Sequence, residues 1–152
     1  VAVLRDELLP LAALVTPNLP EAAILLSMTD AANAVDLGSA RELALRHDCA
    51  VLLKGGHDAR SPGRDLLLDE EGEWWLESPV VHDASSHGSG CSLSASVAAG
   101  LARGDALRTA ITQAKAYVYG ALRNQIRLSD ETSAMWPATP LPMGDISVTQ
   151  QH

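Results

Sequence analysis

Apolar residues recur along this chain with two periods, one suited to helices and one to strands. Val3, Leu4, Leu8 and Leu11 fall at helical spacing, and Pro10 interrupts them, so the pattern predicts a helix ending just before the proline. Ala13-Leu14-Val15-Thr16 reads as a short buried strand stopped by Pro17. Glu21 to Ser27 reads as a helix opened by Asn18 or by Leu19-Pro20. Ser39 to His47 is a second helix, with Ser39 as N-cap and Glu42 completing a capping box. Ala50-Val51-Leu52-Leu53 is an unbroken apolar run closed by Gly55-Gly56, the pattern of a central parallel strand covered on both faces.

Beyond it, Asp65 to Asp69 and Glu73 to Glu77 form a predicted hairpin across Glu70-Glu71-Gly72, with Trp74 and Trp75 on opposite faces. Val80-Val81 reads as a last short strand. Two helices follow, one of small residues from Cys91 to Ala102 and one from Asp105 to Arg123. Alternating strands and helices give an α/β class with a mostly parallel sheet flanked by helices. No repeat or internal linker is visible, so residues 1–128 are expected to form one folded unit. From Ser129 to residue 152, Pro137, Pro140, Pro142 and weak periodicity predict an irregular tail.

Composition narrows the function more than the fold. The 152 residues are 47% apolar and 20% charged, which fits a folded domain and not a disordered chain. A net charge of −8 argues against general binding to nucleic acid or to an anionic membrane, although a phosphate site is a local feature that it does not exclude. The sequence shows no apolar run of membrane-spanning length and no signal peptide, so a reducing cytoplasm is the expected compartment. Cys49 and Cys91 are too few for a disulfide framework. The chain opens with Val1 and enters a predicted helix directly, and it is therefore read as a fragment.

The chemistry concentrates in Asp83-Ala84-Ser85-Ser86-His87-Gly88-Ser89-Gly90-Cys91, which runs straight into a helix of small residues. A glycine-rich turn feeding a helix start aims unpaired N–H groups at one point, where the helix dipole adds partial positive charge. The same segment reads equally as a simple turn with serine caps. No GxxxxGK[ST] or G-x-S-x-G is present, and the spacing of His82, His87 and Cys91 matches no standard zinc site. Asn18 and Glu21 read locally as a helix cap and a favourable first-turn acid, and Lys54 as a solvated lysine before a Gly-Gly turn.

Ser86-His87-Gly88-Ser89-Gly90-Cys91 resembles the THGTGC motif of hydroxymethylpyrimidine/phosphomethylpyrimidine kinases, with serine for threonine at two positions. Thr16-Pro17-Asn18-Leu19-Pro20-Glu21-Ala22, Lys54-Gly55-Gly56-His57 and Gln113-Ala114-Lys115-Ala116-Tyr117-Val118 are similar to further elements of that family, in the same order. The resemblance runs from about residue 1 to about residue 125 and implies the C-terminal part of a ribokinase-like fold, with its N-terminal part missing.

It further implies ATP-dependent phosphorylation of 4-amino-5-hydroxymethyl-2-methylpyrimidine and of its phosphate, in thiamine biosynthesis. Gly88, Ser89 and Gly90 would form an anion hole through their backbone N–H groups, and Cys91 would accept the proton of the attacking hydroxyl. A helix start favours the thiolate form that such a role needs. The resemblance places Asn18 and Glu21 at Mg²⁺ and the phosphates, and Lys54, Gly55, Gly56 and Lys115 on the nucleotide side. A pyridoxal kinase and a non-catalytic nucleotide-binding fragment remain the alternatives. A small pyrimidine is the implied partner, with a homo-oligomer or a complementing N-terminal segment completing the fold; neither nucleic acid nor membrane is expected. The tail departs from the family, lacking its usual glycine-rich ending.

Overall fold

The structure, a computed structural model, describes residues 2–27, 37–55, 62–82, 84–129, 132–137 and 139–151. It divides the chain into two compact units, residues 1–77 with 148–152, and residues 78–147. The boundary falls just after the predicted hairpin, before Ser78-Pro79, at a place where the sequence shows no linker composition.

The first unit is built on a sheet. Its strands are β1 (Leu14–Val15), β2 (Ala50–Lys54), β3 (Arg64–Asp69), β4 (Gly72–Glu77) and β7 (Ser147–Gln150), in the order β1-β2-β3-β4-β7. β1 and β2 are parallel, whereas β2, β3 and β4 pair antiparallel in turn, so the α/β sheet runs from parallel to mixed. Alternation decides the faces: Val51, Leu53, Leu66 and Leu68 share one core with Ala22, Ala23, Leu25, Ala40 and Leu43. Leu52, Leu67 and Leu76 project to the other face and are buried as well. That double burial is why β2 reads as a continuous apolar run.

The helices of this unit are α1 (Leu19–Leu25) and α2 (Leu37–His47). α2 is described from Leu37, so Ser39 is a buried residue inside the helix and not the predicted cap. The S-x-x-E signature locates a helix start only to within a turn, because helical geometry can be extended past it by any residue that tolerates it. At the N-terminus, helical turns continue past Pro10. A π-helical turn, Leu4–Leu8, gives way to a 3₁₀ turn, Leu9–Leu11, whose opening positions need no amide donor.

The hairpin forms as predicted. Asp69 faces Gly72 across the turn, Asp69 Oδ1 accepts from the Glu71 amide at 2.9 Å, and the same oxygen accepts from Trp74 Nε1 at 3.2 Å. Trp75, on the other face, packs against the core and lies under the Arg64 guanidinium, 3.9 Å from its ring centre. Val80-Val81 is not a strand: the pair follows Pro79, Val80 is 43% exposed, and no ladder forms there.

In the second unit, α3 (Ser89–Ala102) and α4 (Leu107–Arg123) form a helical hairpin whose buried side chains include Leu93, Val97, Ala110, Ile111 and Tyr119. The helices touch closely where Gly100 faces Ala110. A Cβ on Gly100 would stand 2.8 Å from the Ala110 Cβ, closer than carbon atoms can approach. Small residues in α3 are thus a packing requirement as well as a motif.

The segment expected to be irregular carries structure. β5 (Ile126–Arg127) pairs with β6 (Ser133–Ala134), and a 3₁₀ turn covers Met143–Asp145. β7 then extends the sheet beyond β4, where the Gln151 amide donates to the Glu73 carbonyl at 2.9 Å and Trp75 Nε1 donates to Gln151 Oε1. Proline spacing hides this, because β7 is stabilised by a partner strand some seventy residues upstream in sequence. Among the described residues no helix is long and apolar enough to cross a membrane.

Candidate active site

Each unit holds one group of the residues singled out by sequence. In the second unit, residues 84–88 lead into α3, and Gly88 is its N-cap with φ +81° and ψ −5°. That left-handed geometry costs a side-chain-bearing residue about 1 kcal/mol, so glycine is the residue that turns the chain into the helix here. The Ser89 amide donates to the Ser86 carbonyl at 3.1 Å, closing the turn, and the Ser92 amide makes the first helical bond, to the Gly88 carbonyl at 2.9 Å.

Between them, the amides of Gly90 and Cys91 have no acceptor among the described residues. These are the second and third positions of the helix, whose N–H groups point out along its axis. Of the amides expected to form the anion hole, Ser89's is therefore already engaged, whereas those of Gly88 and Gly90 have no acceptor among the described residues, and the Cys91 amide is open beside them. The first turn contains no acidic residue to compete for them. Cys91 is exposed. Lys115 lies in α4 and is 6% exposed, a long cation whose stem is enclosed by the fold.

In the first unit the chain brings Asn18, Glu21, Lys54 and Gly55 together. Asn18 caps α1 in a complete capping box: its Oδ1 accepts from the Glu21 amide at 2.8 Å, and Glu21 Oε2 accepts from the Asn18 amide at 2.8 Å. Asn18 bridges to Lys54 in parallel fashion, the Lys54 amide donates to the Pro17 carbonyl at 2.9 Å, and Lys54 Nζ stands 4.0 Å from Glu21 Oε2. These groups sit at the C-terminal ends of β1 and β2, the end of an α/β sheet where ligands gather. Gly56 and His57 lie outside the described residues.

Two contributors had escaped sequence reasoning. Asp65 is 8% exposed, and its Oδ1 accepts from the Gly55 amide at 3.0 Å, pinning the turn after β2. Its signal was an acid opening an apolar strand. Gln125, just beyond α4, grips Ser85 in the glycine loop with both ends of its amide. Nothing local marks that residue.

The two thiols differ. Burial, reinforced by the adjacent Asp48 carboxylate, pushes the Cys49 thiol above its ordinary range, whereas Cys91 is open to solvent. Metal capacity is modest: among the described residues no group of three or more His, Cys, Asp or Glu side chains could hold an ion. Glu21 nevertheless remains 56% exposed with one carboxylate oxygen free of the cap, which suits an ion that keeps most of its waters and binds through one carboxylate.

The fold is ribokinase-like, as its likeness to solved kinase structures shows. The pyridoxal kinase of Staphylococcus aureus in complex with AMP-PCP matches with a TM-score of 0.78 at 26% identity, over 97% of this chain and 55% of that one. An ADP complex of Bacillus subtilis pyridoxal kinase matches with a TM-score of 0.74 at 32% identity, over 87% and 52%. The family profile described as phosphomethylpyrimidine kinase matches residues 1–136, and the chain belongs to that family. It is 41% identical over 129 residues to the hydroxymethylpyrimidine/phosphomethylpyrimidine kinase of Rhizobium meliloti, covering 84% of this chain and 48% of that protein. The chain thus spans about half the length of the curated relatives it matches.

Proposed function

We propose that this chain supplies the phosphoryl-handling part of a kinase that phosphorylates 4-amino-5-hydroxymethyl-2-methylpyrimidine and then its phosphate ester, with ATP as donor. The open amides of Gly90 and Cys91 inside a family motif carry the reading. Such donors, fixed in place before reaction, stabilise charge on a phosphoryl group in transit without reorganising. Gly88 supplies the turn and a further open amide, and Ser89, whose amide closes the turn, serves by shaping the loop. Lys54, Gly55 and Gly56 take the nucleotide side, with Lys115 as a supporting cation. Asn18 and Glu21 would hold Mg²⁺ through water; when bound, the ion supplies charge neutralisation between the phosphates.

Cys91 accepts the proton of the attacking alcohol. For the phosphate ester the attacking oxygen is already ionised near neutral pH, so a base adds little there. In the complete kinase, Cys91→Ala is expected to slow phosphorylation of the alcohol about tenfold more than that of the phosphate. Steady-state rates on both acceptors measure this, and equal losses would remove the proton-accepting role. Likeness to pyridoxal kinases favours pyridoxal as a second acceptor, which rates on the two compounds side by side discriminate. The half-length match favours a third reading, a nucleotide-binding fragment completed by a second copy or by an N-terminal segment. Nucleotide binding without turnover by the 152-residue chain would support it.

A further inference from the structure

The glycine loop is held by a residue far from it in sequence. Gln125 follows α4, and its side-chain amide spans the whole peptide environment of Ser85: Oε1 accepts from the Ser85 amide at 3.1 Å, and Nε2 donates to the Ser85 carbonyl at 2.9 Å. Ser85 lies in irregular backbone, where both polar groups would otherwise need water or a neighbouring strand. A primary amide presents a donor and an acceptor side by side, so Gln125 satisfies both groups with a pair of bonds of matching direction, as a neighbouring strand would.

We infer that Gln125 is a positioning residue for the anion site, fixing the loop so that the Gly90 and Cys91 amides remain accessible to a phosphate. The mechanical link is short. Ser85 precedes Ser86, whose carbonyl accepts from the Ser89 amide, and that turn sets where Gly88 reverses the chain into α3. Freed of the clamp, the loop samples conformations in which its own residues obstruct the helix start. Apparent anion affinity then falls by the fraction of time the open form is populated.

The inference rests on the phosphate reading proposed above, and one experiment separates the two. Amide chemical shifts of the 152-residue chain are followed during titration with inorganic phosphate at constant ionic strength. The unmodified chain, Gln125→Met and Gln125→Asn are compared, with thermal unfolding measured for each. Methionine keeps the side-chain length without the bonds, and asparagine keeps the amide but is too short to span Ser85. The expected result is a phosphate-dependent shift at Gly90 and Cys91 in the unmodified chain, about tenfold weaker in both variants at an unchanged unfolding midpoint. Equal affinity in all three proteins overturns the role of Gln125 and leaves the phosphate site standing. Loss of affinity only in step with unfolding also overturns it, by assigning Gln125 to the fold alone. Absence of any shift at Gly90 and Cys91 in the unmodified chain overturns the phosphate reading and this inference with it.

Discussion

In the sheet-based unit, the polar groups of Asn18, Glu21, Lys54 and Gly55 find partners within the fold; in the helical unit, Gly90 and Cys91 present backbone donors that no described residue accepts. The first arrangement would stabilise the protein with no ligand at all. A capping box contributes about 1 kcal/mol to a helix whether or not an ion is ever bound, so Asn18 and Glu21 have a structural duty that any functional one must share. The second arrangement contributes nothing comparable on its own. Open amides at a helix start are ordinary when water reaches them, and the proposed function rests on their place after a glycine in left-handed geometry, within the residues the family profile matches. The two groups therefore differ in how much of their presence the fold of their own unit already explains.

Substitutions can break or sharpen this contrast. The largest effect is expected at Gly90. Gly90→Asp puts a carboxylate in the first turn of α3, where the helix dipole welcomes it, so folding should be retained. Under the proposed function the same charge would occupy the phosphate's place, and phosphoryl transfer in the complete kinase should fall by about 10²–10³. Normal turnover would show that the open amides are mere helix geometry. A middle-sized effect concerns the thiols. At pH 8, iodoacetamide should modify exposed Cys91 about tenfold faster than the partly buried Cys49, whose thiol burial pushes up. Peptide mass spectrometry follows both sites, and equal rates at pH 8 would contradict the burial of Cys49.

The smallest effect should be on stability at Glu21. Glu21→Gln keeps an oxygen for the Asn18 amide, and glutamine serves a capping box, so denaturant unfolding should change by less than about 0.5 kcal/mol. The carboxylate is lost, however, and the Mg²⁺ concentration needed for half-maximal nucleotide binding should rise severalfold in the same variant. Unchanged Mg²⁺ dependence would leave the capping box as the whole explanation of Glu21.

Sequence alone settled what depends on neighbours within a few positions. The Asn18–Glu21 cap, the hairpin across Glu70-Glu71-Gly72, the buried run of β2, the existence of α3 and α4 and the glycine-to-helix turn at Gly88 are all local patterns of charge, size and backbone freedom. Tertiary structure decided the rest. Gln125 meets Ser85 across forty residues, Asp65 reaches Gly55 across a strand pair, and β7 lies beside β4 despite a proline-rich approach. Which of the glycine-loop amides is left open was decided in the same way, by the bond from Ser89 back to Ser86. Contacts between distant segments are chosen by the closure of the whole fold, where packing outweighs local propensity, and a chain read residue by residue carries no measure of that closure.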